Sequence, residues 1–335
     1  MQKVFLTGIS GFLGHNIVKE LLEQGETEIY GLAFPNDPGV QGYQDNPCIH
    51  IVEGSLTDEE SLRRFMAEAD EDSYLIHAAG KVSVYRYADK ATMEVNLQGT
   101  KNIVEEALRH PFRRFVYVSS VDALPQSKGG VVIDPSSFDP KRCLGVYGKS
   151  KALAGQYVLN ACKEKGLPAV VVCPSALLGP NDPFCAPLND ALLRFCKGKI
   201  PALTPGGYDI ADSRDVAKAI VNALHQGNVG ECYLLTGTRL SVKELFGHFA
   251  TVAQKKTPRL IVSFFPLYIA APFSELLARI QKKRPLLSVL ALHCLRLNPT
   301  YDSSKAKKDL GFSPREIDQT IADTIAYFQK TGRLS

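Results

Sequence analysis

No cysteine pattern in this chain points to a cross-linked or metal-built fold. The eight Cys, at positions 48, 143, 162, 173, 185, 196, 232 and 294, form no Cys-x-x-Cys pair and no paired Cys/His spacing. That argues against a disulfide framework and a zinc site, and predicts reduced, mostly buried thiols. An excess of one charge is missing too. Lys+Arg 39 against Asp+Glu 35 gives +4 with no long like-charge run, so nucleic acid is not expected as a partner. The longest uncharged apolar run, 260–273, contains two prolines. It is shorter than the roughly 20 residues that span a bilayer. Met1-Gln2-Lys3-Val4-Phe5-Leu6 enters a strand-like run at once, which leaves no room for a signal peptide. What remains is ordinary: 335 residues, 45% hydrophobic and 22% charged, enough for one large domain or two smaller ones. A cytoplasmic globular protein is expected.

Short apolar runs alternate with amphipathic stretches through the first half. Strands are predicted at 3–7, 28–33, 48–52, 73–77, 112–119 and 169–174, and helices at 12–24, 58–69, 90–109 and 148–165. Phe115-Val116-Tyr117-Val118 and Ala169-Val170-Val171-Val172 are continuously apolar, as strands covered on both faces are. The pattern predicts an α/β fold with a doubly wound parallel sheet. After Pro174, prolines at 180, 183, 187, 201 and 205 break the chain. A helix at 213–225 capped by Asp212 and a strand at 232–235 follow, then a mostly helical tail. The expected layout is a nucleotide-type domain at 1–174, rejoined by 207–236. A smaller substrate portion, mostly helical, would comprise 175–206 and 237–335.

Thr7-Gly8-Ile9-Ser10-Gly11-Phe12-Leu13-Gly14 follows the first strand and opens the first helix. Gly8 suits a tight turn, Gly11 a close approach to pyrophosphate, and Gly14 close helix–strand packing. The helix N-terminus offers donors and a positive dipole to phosphates. The second strand ends Gly31-Leu32-Ala33-Phe34, without the acid that would take a ribose 2′-hydroxyl or the Arg that would take a 2′-phosphate. Asp37 lies beyond that spot. The cofactor expected is NADP(H) or NAD(H), with a slight lean to NADP(H).

Two Tyr-x-x-x-Lys pairs occur, Tyr147/Lys151 and Tyr301/Lys305. Only the first follows, by one loop, a strand ending in Ser119-Ser120. Carbonyl reduction needs a proton donor to the nascent alkoxide. A phenol with pKa near 10 must drop by about three units to act as a base at neutrality. A Lys ammonium about 4 Å away supplies an interaction of that order. Ser120 would hydrogen-bond the substrate oxygen and the phenol.

With these motifs the chain resembles the extended short-chain dehydrogenases/reductases of the NAD-dependent epimerase/dehydratase type. The resemblance also rests on His77-Ala78-Ala79-Gly80, Asn96-Leu97-Gln98-Gly99-Thr100, Pro174-Ser175-Ala176-Leu177-Leu178-Gly179-Pro180 and the tail motif 303–314. Within that superfamily, Gly179-Pro180-Asn181-Asp182-Pro183 and Gly198-Lys199-Ile200-Pro201-Ala202 look most like dihydroflavonol-4-reductase-like, 3β-hydroxysteroid dehydrogenase-like and hopanoid-associated proteins. The resemblance implies a Rossmann-type sheet and a catalytic Ser120, Tyr147 and Lys151. It implies a cofactor held along Gly8, Ser10, Gly11, Phe12, Leu13 and Gly14, then by Phe34, Ser55 and Leu56. Ala78, Ala79, Gly80 and Asn96 would follow, with Tyr147 and Lys151, and Pro174, Ala176 and Leu177 would hold the nicotinamide side. Lys81, Tyr85, Asp122 and Tyr208 are candidate substrate contacts. Two departures stand out: Gly54-Ser55-Leu56 where members have Gly-Asp-Leu, and Cys173 where many have Arg.

The function expected is reduction of a ketone or aldehyde, or oxidation of the alcohol, with a small-molecule substrate. The alternatives are a nucleotide-sugar epimerase or dehydratase and a redox-sensing binding protein. Tyr208 stands where sugar-nucleotide enzymes carry an Arg for the diphosphate, and the apolar residues of 260–269 and 286–287 suit an apolar cleft. His77 reads as structural. Asp209, Asp212 and Asp215 read as capping and a solvated face, so no metal is expected. Lys282-Lys283-Arg284 beside the apolar run reads as an exposed turn and a pocket wall, so membrane contact is not expected. Homodimers through helices near 90–109 and 148–165 are common in the family and open to this chain.

Overall fold

The apolar runs of the first half pair into one sheet, because each has a covered face on both sides. The computed structural model describes residues 2–25, 27–83, 89–125, 131–132, 136–281, 285, 287–297 and 299–334. The chain opens β1 (Gln2–Thr7), α1 (Phe12–Gln24), β2 (Thr27–Ala33), β3 (Ile49–Glu53), α2 (Glu59–Phe65) and β4 (Tyr74–His77). It continues α3 (Lys90–Met93), α4 (Gly99–Ala107), β5 (Arg114–Val118), β6 (Val131–Val132), α5 (Gly145–Lys165), β7 (Ala169–Pro174) and β8 (Ala176–Leu178). Then come α6 (Pro187–Cys196), β9 (Gly207–Asp212), α7 (Ser213–Asn222), β10 (Cys232–Leu235), β11 (Thr238–Ser241) and α8 (Val242–Val252). The tail holds α9 (Phe264–Ile280), α10 (Val289–Leu297), β12 (Thr300–Tyr301), α11 (Ser304–Leu310) and α12 (Ile317–Lys330).

Seven parallel strands lie in the order β10-β7-β5-β4-β1-β2-β3. The order reverses between β1 and β4, and in such doubly wound sheets ligands bind beyond the carboxyl ends at that switch. Thr7 pairs with His77 there, which sets the glycine loop beside His77-Ala78-Ala79-Gly80. The period-two alternation of strands divides the apolar side chains between two cores. Val4, Leu6, Val116, Val118, Val170 and Val172 face one core, shared with α1 and α7. Phe5, Phe115, Tyr117, Ala169 and Val171 face the other, shared with α2, α4 and α5.

A third core, with Leu178, Phe195, Phe246, Phe249, Ile321 and Phe328, belongs to the C-terminal portion. It underlies a small sheet in which β9 runs parallel to β8 and antiparallel to β11. The sheets divide the 207–236 segment: β9 joins the small sheet, while β10 edges the large one and α7 packs on α1. No residue separates β9 from α7, and the Asp212 carboxylate accepts from Arg214 N at 2.8 Å as the helix cap.

The helix expected over 90–109 is not uniform. A π-helical turn at Glu94–Gln98 separates α3 from α4 and carries the buried Asn96. One extra residue in a turn re-aims the side chains it carries. The aspartates read as a solvated face are largely buried instead. Asp215 accepts from Arg315 N, Nε and Nη2 at 2.8, 2.9 and 2.6 Å, and Asp209 accepts from Gly237 N at 2.8 Å. Hydrophobic periodicity cannot report such pairs, because the partners lie 100 and 28 residues apart. All eight cysteines are free, with Cys173, Cys196 and Cys232 buried and the rest half-buried.

The Arg315–Asp215 pair ties the tail to α7, and Asp215 is 7% exposed. Asp215→Ala leaves a backbone N–H without its acceptor and the guanidinium with only the Asp212 carboxylate, 3.6 Å away. It should lower the unfolding free energy by about 3 kcal/mol, the usual result of removing one partner of a buried pair. Urea denaturation of the two proteins checks this.

Candidate active site

The glycine loop takes its shape from two close approaches. Gly8 has φ +78°, and a Cβ there would sit 2.7 Å from Ala79 N. A Cβ on Gly14 would sit 2.1 Å from Gly8 O. Gly11 differs, for its Cβ would meet nothing nearer than Gly8 O at 3.3 Å. Gly11 is the N-cap of α1, without a side-chain cap bond, and the first turn holds no acid. The first donors of α1, carried by Phe12, Leu13 and Gly14, are therefore left to an outside acceptor.

From this loop a buried hydrogen-bond chain runs to α5. Thr7 Oγ1 lies 2.7 Å from His77 Nδ1, and His77 Nε2 lies 3.0 Å from Thr100 Oγ1. Thr100 gives its proton to Asn96 O at 2.6 Å, so it accepts from Nε2–H, and Nδ1 accepts from Thr7. Burial pulls the imidazole down to about 3, so it stays neutral. The Asn96 amide accepts from Lys81 N at 2.7 Å and donates to Ser150 Oγ at 3.0 Å. Ser150 Oγ donates to Tyr147 O at 2.7 Å. Both ring nitrogens of His77 are thus committed.

Tyr147 and Lys151 stand one turn apart in the first half of α5. Lys151 is 3% exposed, and its Nζ donates to Val118 O at 2.8 Å and lies 5.2 Å from the Tyr117 ring centroid. Burial lowers the ammonium to about 8. A Cβ at Gly80 would meet that Nζ at 3.1 Å, so Gly80 and Lys151 share one wall. Tyr147 is half-buried. Burial pushes its phenol up, the Asp122 carboxyl adds to the rise, and a hydrogen bond with Ser120 opposes it. The expected lowering by Lys151 is not found within the chain, since the ammonium is turned to Val118 O and the Tyr117 ring. The phenol is held protonated.

Ser120 Oγ also accepts from Asp122 N at 3.1 Å and hydrogen-bonds the Asp122 carboxyl. Burial raises that carboxyl, with the Ser120 bond opposing. The Asp122 carboxyl is close enough to Tyr147, Cys143, Tyr208 and Cys294 to raise each of them, after burial. The sheet edge, β9 and α10 therefore meet around Ser120 and Asp122. Beside them, Leu144, Gly145, Val289, Leu290 and His293 line a small, mainly apolar hollow.

The other candidates are more spread out. Phe34 is 60% exposed at the end of β2, and Asp37 accepts from Gly39 N at 2.9 Å. Ser55 Oγ lies 2.9 Å from Thr57 Oγ1 and is half-buried. The Leu56 side chain is buried and lies against Gly99. Ser10, Ala78 and Ala79 are half-buried near the loop. Pro174 is buried in β7, while Ala176 and Leu177 are half-buried in β8. Lys81 is exposed and pairs with Asp89 at 3.4 Å. Tyr85 lies outside the described residues. Tyr301 sits in β12 beside β6, and Lys305 is paired with Glu231 and lies 4.9 Å from the Tyr233 ring. Cys294 escaped sequence reasoning, since nothing in a helical tail marks which turn meets a distant strand end. Thr100 carried a signal in its Asn-x-x-Gly-Thr context.

The profile of the NAD dependent epimerase/dehydratase family matches residues 4–235. The chain is 31% identical, over 98% of its length and 95% of the relative's, to a Synechocystis sp. protein whose name proposes a dihydroflavonol 4-reductase. It is 28% identical, over 99% of its length and 98% of the relative's, to a Stigmatella aurantiaca protein named 4-hydroxy-2-methyl-3-oxo-4-farnesyl-3,4-dihydroquinoline-1-oxide ketoreductase. Among solved structures, gox2253 superposes with a TM-score of 0.83 at 29% identity, covering 99% of each chain. With its seven-stranded doubly wound sheet and glycine loop, the chain belongs to the NAD dependent epimerase/dehydratase family of extended short-chain dehydrogenases/reductases, enzymes of NAD(P)-dependent oxidoreductase type.

Proposed function

We propose that this protein reduces a largely apolar ketone or aldehyde, or runs the reverse alcohol oxidation, with a nicotinamide cofactor. The observation that carries the reading is the placement of Tyr147 one helical turn from the buried Lys151, near Ser120 at the carboxyl edge of the sheet, with its phenol kept neutral by burial. A protonated phenol beside a second hydroxyl is a donor to a developing alkoxide. Ser120 orients the carbonyl oxygen and Tyr147 gives it the proton. Lys151 holds a ribose hydroxyl and adds positive charge near the phenol once it turns from Val118 O.

A bound nicotinamide cofactor supplies the hydride. The chain's own residues suit it. Gly8 and Gly14 are glycine for internal reasons, whereas Gly11 leaves space that a Cβ would fill from the outside, above uncapped helix donors. Phe34 offers no charge to a 2′-phosphate, and the Asp37 carboxylate is turned to Gly39 N. That keeps the slight lean to NADP(H).

Asp122 favours an uncharged substrate. A carboxyl facing the cleft from beside Ser120 opposes a diphosphate, and Tyr208 offers no guanidinium to neutralise one. Asp122 can instead accept from a substrate hydroxyl. The ketoreductase and proposed flavonol-reductase relatives support the same side.

Three outcomes test the reading. Gly11→Val should abolish binding of NAD(H) and NADP(H) by calorimetry while the melting midpoint stays within a few degrees, because the added Cβ meets only Gly8 O, at 3.3 Å. Cofactor affinity should fall as pH rises through about 8, the Lys151 value. A lowered lysine pKa keeps the ammonium below that pH and loses it above, so a ligand that needs the ammonium binds about tenfold more weakly per pH unit there; Lys151→Arg should flatten the profile. Finally, NAD(P)H oxidation with flavanonols, sterol ketones and aryl aldehydes should be measurable. Tyr147→Phe should cost about 10²-fold or more in turnover at unchanged cofactor affinity, and Tyr301→Phe nothing. Stabilisation by UDP- or dTDP-sugars alone, with no turnover on the carbonyl panel, would overturn the assignment.

A further inference from the structure

The apolar run expected to wall a cleft is split between two faces, with Phe264, Leu267 and Tyr268 half-buried and Phe265 and Ile269 exposed. α9 fixes one face on its neighbours: Ala271 and Ala278 are buried, Ser274 Oγ accepts from Leu287 N at 3.2 Å, and Glu275 accepts from Val289 N at 2.9 Å. Its other face carries Phe265, Ile269, Phe273, Leu276, Leu277 and Ile280, each more than half exposed. These recur at the spacing of one helical stripe. A continuous uncovered apolar stripe of this kind marks an interaction site.

Charge selects the partner. Residues 255–284 hold seven Lys or Arg and one Glu, a net +6, while the other 305 residues net −2. All of the chain's positive excess is therefore gathered at this helix and its two ends. Lys255, Lys256 and Arg259 are exposed and form no ion pair among the described residues. The single acid, Glu275, is turned inward to Val289 N. Two copies docked through this face would bring the Lys255, Lys256 and Arg259 cations of one against those of the other, so a second copy is a poor occupant.

No described helix is long and apolar enough to cross a membrane. At 17 residues α9 is about 25 Å long. Only one of its faces is uncovered, so it can lie along a surface and not through one. A helix with an apolar face flanked by cations binds in the plane of an anionic bilayer, its side chains in the acyl boundary and its cations at the phosphates.

We propose that α9 is a membrane-docking helix, which rests its Phe265–Ile280 stripe in an anionic lipid surface with Lys255, Lys256 and Arg259 on the headgroups. α9 packs on α10, whose Cys294 faces Asp122, so docking sets the cleft one helix away from the lipid.

Vesicle flotation of the whole protein tests this. Vesicles with about 30% phosphatidylglycerol in phosphatidylcholine should carry the protein at about 0.05 M salt, and at least about tenfold less at about 0.5 M or without the anionic lipid. The double variants Phe265→Glu/Phe273→Glu and Lys255→Glu/Lys256→Glu should each lose about tenfold or more of that binding. Both pairs are exposed, so their melting midpoints should match the parent. Failure of the anionic vesicles to carry the protein at about 0.05 M salt would overturn the proposal, as would unchanged binding of the Phe265/Phe273 variant. A dimer seen by light scattering and abolished by Phe265→Glu/Phe273→Glu, without vesicle binding, would give the face to a second copy.

Discussion

A buried polar group must be paired, and in this protein that requirement links the glycine loop to the start of α5. Thr7, His77, Thr100, Asn96 and Ser150 satisfy one another in a single chain that starts at the glycine loop and ends at the Tyr147 backbone. Thr100 can donate only once, and spending that proton on Asn96 O settles the tautomer of His77. The π-turn that places Asn96 belongs to the same solution, since a regular helix over 90–109 would aim the amide elsewhere. Strand ends, helix start and π-turn are thus held by one network.

The two charged or chargeable groups next to that network are offset in opposite directions by the same cause. Burial raises the Tyr147 phenol and lowers the Lys151 ammonium, since each is disfavoured in its charged form. Left to the chain's own groups, phenol and lysine are both closer to neutral than in water. That suits proton donation by Tyr147. It also makes any shift toward the phenolate depend on charge arriving with a ligand.

Much of this was legible in the sequence, for stated reasons. Runs such as Ala169-Val170-Val171-Val172 fit only strands covered on both faces, and the two cores divide them residue by residue. The Thr7–Gly14 loop was recognisable from its glycines between strand and helix, and the Ser120, Tyr147 and Lys151 set could be proposed because each residue type answers a local chemical need. Three things were not. The Asp215–Arg315 pair joins distant segments that no periodicity connects. Asp122 stands among the candidate substrate contacts through the resemblance alone, and only the turn after β5 sets its carboxyl near Tyr147 and Tyr208. The 260–273 run has the composition of a cleft wall, and only its packing on α10 shows which of its faces is covered.

The junction of β9 with α7 carries one more consequence. Strand ends at Asp212 and helix begins at Ser213, and the same carboxylate caps the helix and binds Arg214 Nη2 at 2.7 Å. The small sheet and the large one are thereby joined without slack. A spacer inserted there would break a cap and an ion pair and shift the register of β9 with β8 and β11. The two layers are therefore not modules that could be exchanged or expressed apart, and variety in what the cleft accepts has to come from the side chains on its walls.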